Sequence, residues 1–184
     1  MPTDFAEALH EALLGDQLTI ATAESCTVGR VMAHLGSCSG SSAYFKGGVC
    51  AYTKEAKVNI LGVDNDHATE VKCFSARVAE EMAEGVAKLF GADIGISTTG
   101  YAEPNREGGI LVPQAWVGLC FEGECHSAQV VLDEDFALPG MREVAQKEIT
   151  HQATRFLLSH LFGIDLWDED LEAWDEDDWD NADV

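Results

Sequence analysis

Basic residues are scarce in this chain: 11 Lys and Arg stand against 33 Asp and Glu, for a formal charge of −22. A surface of that sign repels phosphate backbones, which argues against nucleic acid as a partner. Long apolar runs are missing as well. No stretch nears the roughly 20 residues that span a bilayer, so no membrane partner is expected. Asp4, Glu7 and Glu11 stand where a signal peptide carries positive charge, and the expectation is a cytoplasmic protein. The cysteines Cys26, Cys38, Cys50, Cys73, Cys120 and Cys125 include no C-x-x-C pair and have no histidine at metal-ligand spacing. Neither a metal site nor a redox motif is signalled, and reduced, mostly buried thiols are expected.

The 46% hydrophobic content is that of a globular protein, and the 17 glycines follow no period. The acids are unevenly spread. Residues 165–184 hold 11 acids and no base, so this short tail carries −11, as much as residues 1–164 with 22 acids and 11 bases. We therefore read an α/β domain at 1–163 and an acidic, tryptophan-containing tail at 164–184.

Along the domain, Thr3 or Asp4 can cap a first helix that Gly15 stops. A β-branched strand at 18–23 breaks into the polar string Glu24-Ser25-Cys26-Thr27, and Val31, Met32 and Leu35 then take helical spacing. Residues 45–52 read as a second strand, followed by a short helix that ends near Gly62. Ser75 caps an amphipathic helix with Val78, Met82, Val86 and Leu89 on one face and Gly91 at its end. A third strand at 94–98 runs into TTGYAEP. Strands at 114–121 and 124–132 meet at Glu122-Gly123 as a hairpin, and a last helix at 141–162 sets Val144, Ile149, Phe156, Leu157 and Leu161 on the sheet. This order predicts a mixed five-stranded sheet between helical layers.

Three successive strands end in the polar motifs ESCT, YTKEAK and TTGYAEP, and ligands of open parallel sheets sit outside the carboxyl ends of the strands. Ser25, where strand turns to helix, is a candidate nucleophile, and the helix start offers amides to an oxyanion. Alternatively, Ser25 or Thr27 only caps that helix. No histidine falls at a neighbouring strand end, so a desolvated Lys57 is the candidate base of a Ser-Lys pair. Tyr52 is placed to pass a proton or orient a ligand, unless it is an ordinary half-buried aromatic. Glu24, Thr27, Gly29, Thr99, Gly100 and Arg142 are the substrate-binding candidates. Arg142 is a guanidinium clamp for an oxyanion in one reading and a solvated charge in the other.

TAESCT (22–27), AYFKGGVCAYTKEAKVNILGV (43–63), SARVAEEMAEG (75–85), GADIGISTTG (91–100) and the late Gly140-Met141-Arg142 resemble, in order and spacing, the CinA C-terminal domain family. That family includes nicotinamide mononucleotide deamidases. The resemblance implies a three-layer α/β/α fold with one antiparallel strand, and metal-independent, cofactor-free hydrolysis of a nicotinamide carboxamide to the acid and ammonia. It places the family's serine, tyrosine and lysine on Ser25, Tyr52 and Lys57, its TG-loop threonine on Thr99 and its arginine on Arg142. A homo-oligomer is also implied.

The chain departs from the pattern around the expected nucleotide. Val28 stands in place of a glycine, TGIAGP reads TGYAEP with Tyr101 and Glu103, the KPVGT segment reads VPQAW, and Met141 and Gln146 replace an aspartate and a second arginine. Two readings follow. One is an amidohydrolase of the nicotinamide mononucleotide deamidase kind, acting on a small amide or nucleotide that carries less negative charge. The other is a catalytically inactive binding or scaffold domain that presents the tail to a protein partner. Trp167, Leu171 and Trp174 would form one stripe on a helix, as a docking peptide requires.

Overall fold

The computed structural model describes residues 5–163. The expected caps Thr3 and Asp4 and the whole acidic tail lie outside the described residues. Among these residues six α-helices and five strands follow in the order α1 (Phe5–Gly15), β1 (Ile20–Glu24), α2 (Arg30–Gly36), β2 (Phe45–Cys50), α3 (Lys54–Leu61), α4 (Asn65–Glu70), α5 (Ala76–Phe90), β3 (Ile94–Tyr101), β4 (Gln114–Phe121), β5 (Glu124–Val131) and α6 (Arg142–Phe162).

The sheet order is β2-β1-β3-β4-β5. β1 lies parallel to both β2 and β3, while β4 runs antiparallel to β3 and β5. Helices cover both faces. Ile20, Ile94, Ile96, Val117 and Leu119 pack with residues of α1, α2 and α6, such as Leu9, Leu35, Ile149 and Phe156. On the other face Ala21 and Ala23 pack with Leu61, Val78, Met82 and Val86. This is the mixed three-layer architecture with one antiparallel strand that the sequence predicts. Among the described residues no helix is long and apolar enough to cross a membrane.

Local chemistry explains the boundaries. Thr53, Asp64 and Ser75 cap α3, α4 and α5 by accepting the amides of Ala56, His67 and Val78. The hairpin turn at Glu122-Gly123 has φ of 52° and 83°, the pair of positive values that a two-residue loop needs. Glycine is required where α5 meets its neighbours. A Cβ on Gly85 would strike the Leu61 carbonyl of α3, and one on Gly118 would strike the Ala79 carbonyl of α5.

Several expectations are corrected. α4 does not stand out by apolar period, because its six residues are mostly polar and only Ala68 is buried. β2 ends at Cys50, since the carbonyls of Ala51 and Tyr52 turn toward the Lys57 amine. β3 continues to Tyr101 because β4 pairs with it as far as Gln114. Leu89 is exposed, and Phe90, one position on, packs against the core in its place. In α6, Ala145 and Ala153 share the buried stripe, and Val144 is only half-buried. The six cysteines are not all thiols: Cys120 and Cys125 form a disulfide across β4 and β5, and of the other four only Cys26 is buried.

Candidate active site

The parallel strands β1, β2 and β3 end on one side of the sheet, and a cleft of about 700 Å³ opens there. Ser25, Tyr52, Lys57, Thr99, Gly100 and Arg142 all line it. The Ser25 amide donates to the Thr98 carbonyl at 2.9 Å, so the β1–β3 ladder extends one residue and fixes the serine. Lys57 arrives from the first turn of α3. It is 2% exposed, and its Nζ lies 2.8 Å from Ser25 Oγ, 2.8 Å from the Ala51 carbonyl and 3.4 Å from the Tyr52 carbonyl.

Burial lowers the Lys57 pKa from its usual 10.5, and the neighbouring Cys73 and Cys26 thiols oppose the shift. Cys26 is itself pushed up to about 12, chiefly by burial. A neutral lysine amine has two N–H bonds and one lone pair. As an ammonium, Nζ donates to both carbonyls and to Ser25 Oγ; once deprotonated, it can keep its N–H bonds on the carbonyls and turn its lone pair to the Ser25 hydroxyl.

A polar bridge crosses the mouth of the cleft. Arg142 donates from one nitrogen to Tyr52 Oη at 3.0 Å and from the other to Glu103 Oε1 at 2.7 Å. Because Tyr52 accepts this bond, its own hydroxyl hydrogen remains available to a ligand. Thr99 Oγ1 donates to the Cys73 carbonyl at 2.8 Å and ties the end of β3 to the segment after α4. Gly100 has no room for a Cβ against Gln114 and Ala115, so strand pairing alone demands a glycine there.

Three substrate-binding candidates do not reach the cleft. Glu24 is fully buried and accepts from the Thr27 hydroxyl and from the amides of Gly29 at 2.8 Å, Val31 at 3.2 Å and Met32 at 2.7 Å. Thr27 also bonds Thr98 Oγ1 at 2.7 Å. Glu24, Thr27 and Gly29 therefore assemble the start of α2 beneath the site. The amides expected to meet an oxyanion there are already taken by a carboxylate. Val28 does not line the cleft either; its φ of 52° makes its effect conformational. Gln146, which replaces an arginine, donates to the Cys26 carbonyl at 2.7 Å.

The cleft also contains residues that the sequence reading did not single out: Lys54, Lys72, Cys73 and Phe74. Phe74 packs edge-on to Tyr101 with ring centroids 5.4 Å apart, which gives the cleft an aromatic wall. Lys54 carried one signal, a cation in the first turn of a helix, where the dipole favours acids. Lys72 and Cys73 carried none, since left-handed backbone at non-glycine residues leaves no mark in composition. Among the described residues no group of three or more His, Cys, Asp or Glu side chains is placed to hold a metal ion.

Fold and site together define an α/β/α protein whose parallel strands deliver a serine and a buried lysine to one crevice. The family model for the CinA C-terminal domain matches residues 2–161, and the chain belongs to that family. A CinA-like protein of Dictyoglomus turgidum is 39% identical over 136 residues, which cover 72% of this chain and 33% of that protein. A CinA-like protein of Flavobacterium psychrophilum is 46% identical over 98 residues, 53% of this chain and 23% of its own. The chain thus spans about a quarter to a third of the length of these relatives. Among solved structures, a CinA superfamily protein from Klebsiella pneumoniae superposes with a TM-score of 0.78 at 27% identity, covering 87% of this chain and 97% of that one. The competence damage-inducible protein A of the same species gives 0.77 at 28% identity, covering 86% and 95%.

Proposed function

We propose that this chain is a cytoplasmic amidohydrolase of the nicotinamide mononucleotide deamidase kind, converting the mononucleotide and water to nicotinate mononucleotide and ammonia. The observation that carries this reading is the 2.8 Å bond between a buried Lys57 amine, its pKa lowered by desolvation, and the Ser25 hydroxyl at the edge of the cleft. Ser25 Oγ attacks the carboxamide carbon as its proton passes to Lys57 Nζ. The resulting ammonium returns that proton to the leaving nitrogen, and ammonia departs. Water, deprotonated by the same amine, then cleaves the ester and restores the serine. The Tyr52 hydroxyl hydrogen orients the substrate.

An assay of ammonia release from nicotinamide mononucleotide tests the reading. Ser25→Ala and Lys57→Ala should each lower kcat by at least about a hundredfold. A wild type that releases no ammonia sinks it, and so does a Ser25→Ala variant with undiminished turnover. One observation favours the alternative of a silent binding domain: Glu103 and Tyr52 already occupy Arg142. Binding of the mononucleotide without turnover would establish that alternative.

A further inference from the structure

Four cationic side chains line the cleft, and two of them are already engaged. Lys57 is buried against Ser25, and Arg142 is paired with Glu103. Lys54 and Lys72 have no carboxylate partner among the described residues. In a chain with three acids for every base, two uncompensated cations on one cleft wall are the opposite of what the composition favours.

Lys54 is nonetheless fixed. Its Nζ donates to Asn65 Oδ1 and to Thr69 Oγ1, both at 3.0 Å. These neutral acceptors position the ammonium without cancelling its charge. Lys72 follows α4 with φ of 51°, and Cys73 continues at 60°, two successive left-handed residues that are not glycine. L-residues avoid that conformation, and strain of this sort gathers at ligand sites. The bond from Thr99 to the Cys73 carbonyl holds it in place. Glu24 meanwhile fills the amides of α2, so the helix start offers nothing to an anion.

We propose that Lys54 and Lys72 form an anion subsite on the α3–α4 side of the cleft that receives the phosphate of a phosphorylated ligand, while Glu103 withholds Arg142 from that role. The proposal rests on the cleft being the substrate site, and it names the group that the substrate presents there.

The test uses two readouts on wild type, Lys54→Gln, Lys72→Ala, the double variant and Arg142→Gln. Calorimetric titration with inorganic pyrophosphate supplies the anion without an amide. Turnover compares nicotinamide mononucleotide with the corresponding phosphate-free riboside. Each lysine substitution should weaken pyrophosphate binding and raise KM for the mononucleotide about tenfold, with kcat and the riboside KM unchanged. Arg142→Gln should move the mononucleotide KM less than either lysine change. The Lys72 side chain makes no hydrogen bond or ion pair among the described residues, so Lys72→Ala keeps the test sound if Lys54→Gln loosens α4.

Pyrophosphate that fails to bind wild type, or binds the double variant equally well, overturns the subsite. A larger loss from Arg142→Gln does the same. Lysine-dependent pyrophosphate binding without ammonia from either amide upholds the subsite and overturns the amidase. Ammonia release with a KM indifferent to both lysines does the reverse.

Discussion

In the proposed mechanism Lys57 is the base, and burial is what equips it. Its pKa falls below 10.5, so the neutral base becomes populated at lower pH than in a free lysine, and kcat/KM should rise with pH along a limb whose midpoint lies below that value. The same shift bears on stability. Between the lowered folded value and 10.5 the unfolded chain binds more protons than the folded one, so stability climbs with pH across that window. Below the folded value the cost of burying the cation is present in full. Urea titrations over this range should show the climb in wild type and a flatter profile in Lys57→Met. Val28 makes a simpler case. It is 46% exposed and sits at φ 52°, where asparagine is better tolerated. Val28→Asn should gain about 1 kcal/mol, read as a rise in Tm of about 2–4 °C.

Among the elements, α2 depends on one carboxylate supplied by the strand before it. Glu24→Ala would leave three amides without their acceptor and the Thr27 hydroxyl with Thr98 alone. A loss of about 3 kcal/mol in chemical denaturation is expected, because each orphaned buried donor costs about 1 kcal/mol or more. The sequence concealed this. A glutamate at a strand end reads as a ligand contact, and only the fold reveals that the helix start turns back onto it. Ser25, Tyr52 and Lys57 were readable because strand ends of a parallel sheet converge and each belonged to a distinct polar string. Lys72 was not, since its place depends on α4, a helix too short and polar to register as a period. The caps Ser75 and Gly91 were readable because capping is local chemistry, whereas the end of β3 was set by a partner strand distant in sequence.

Viewed entire, the molecule opposes its own cleft. The chain as a whole carries −22, yet four basic side chains and one acid line the cleft, so an anionic ligand is repelled at long range and attracted nearby. Added salt should therefore speed association of pyrophosphate in stopped-flow measurements while weakening the bound complex. Deleting residues 165–184 removes 11 acids and no base, and should quicken the same association at low salt. Light scattering on that truncation also tests whether the tail joins subunits. An unchanged mass, together with an unchanged set of captured proteins, discards a docking role.

The bare backbone contacts of Gly85 with α3 and of Gly118 with α5 leave no slack between α3, α5 and the sheet. Parts seated that closely shift together or not at all. The hydroxyl of Ser25 and the amine of Lys57 ride on this single block, so their contact is made without any ligand. Adjustment to what enters falls to the far bank, where Glu103, Arg142 and Tyr52 meet across the opening through side chains alone.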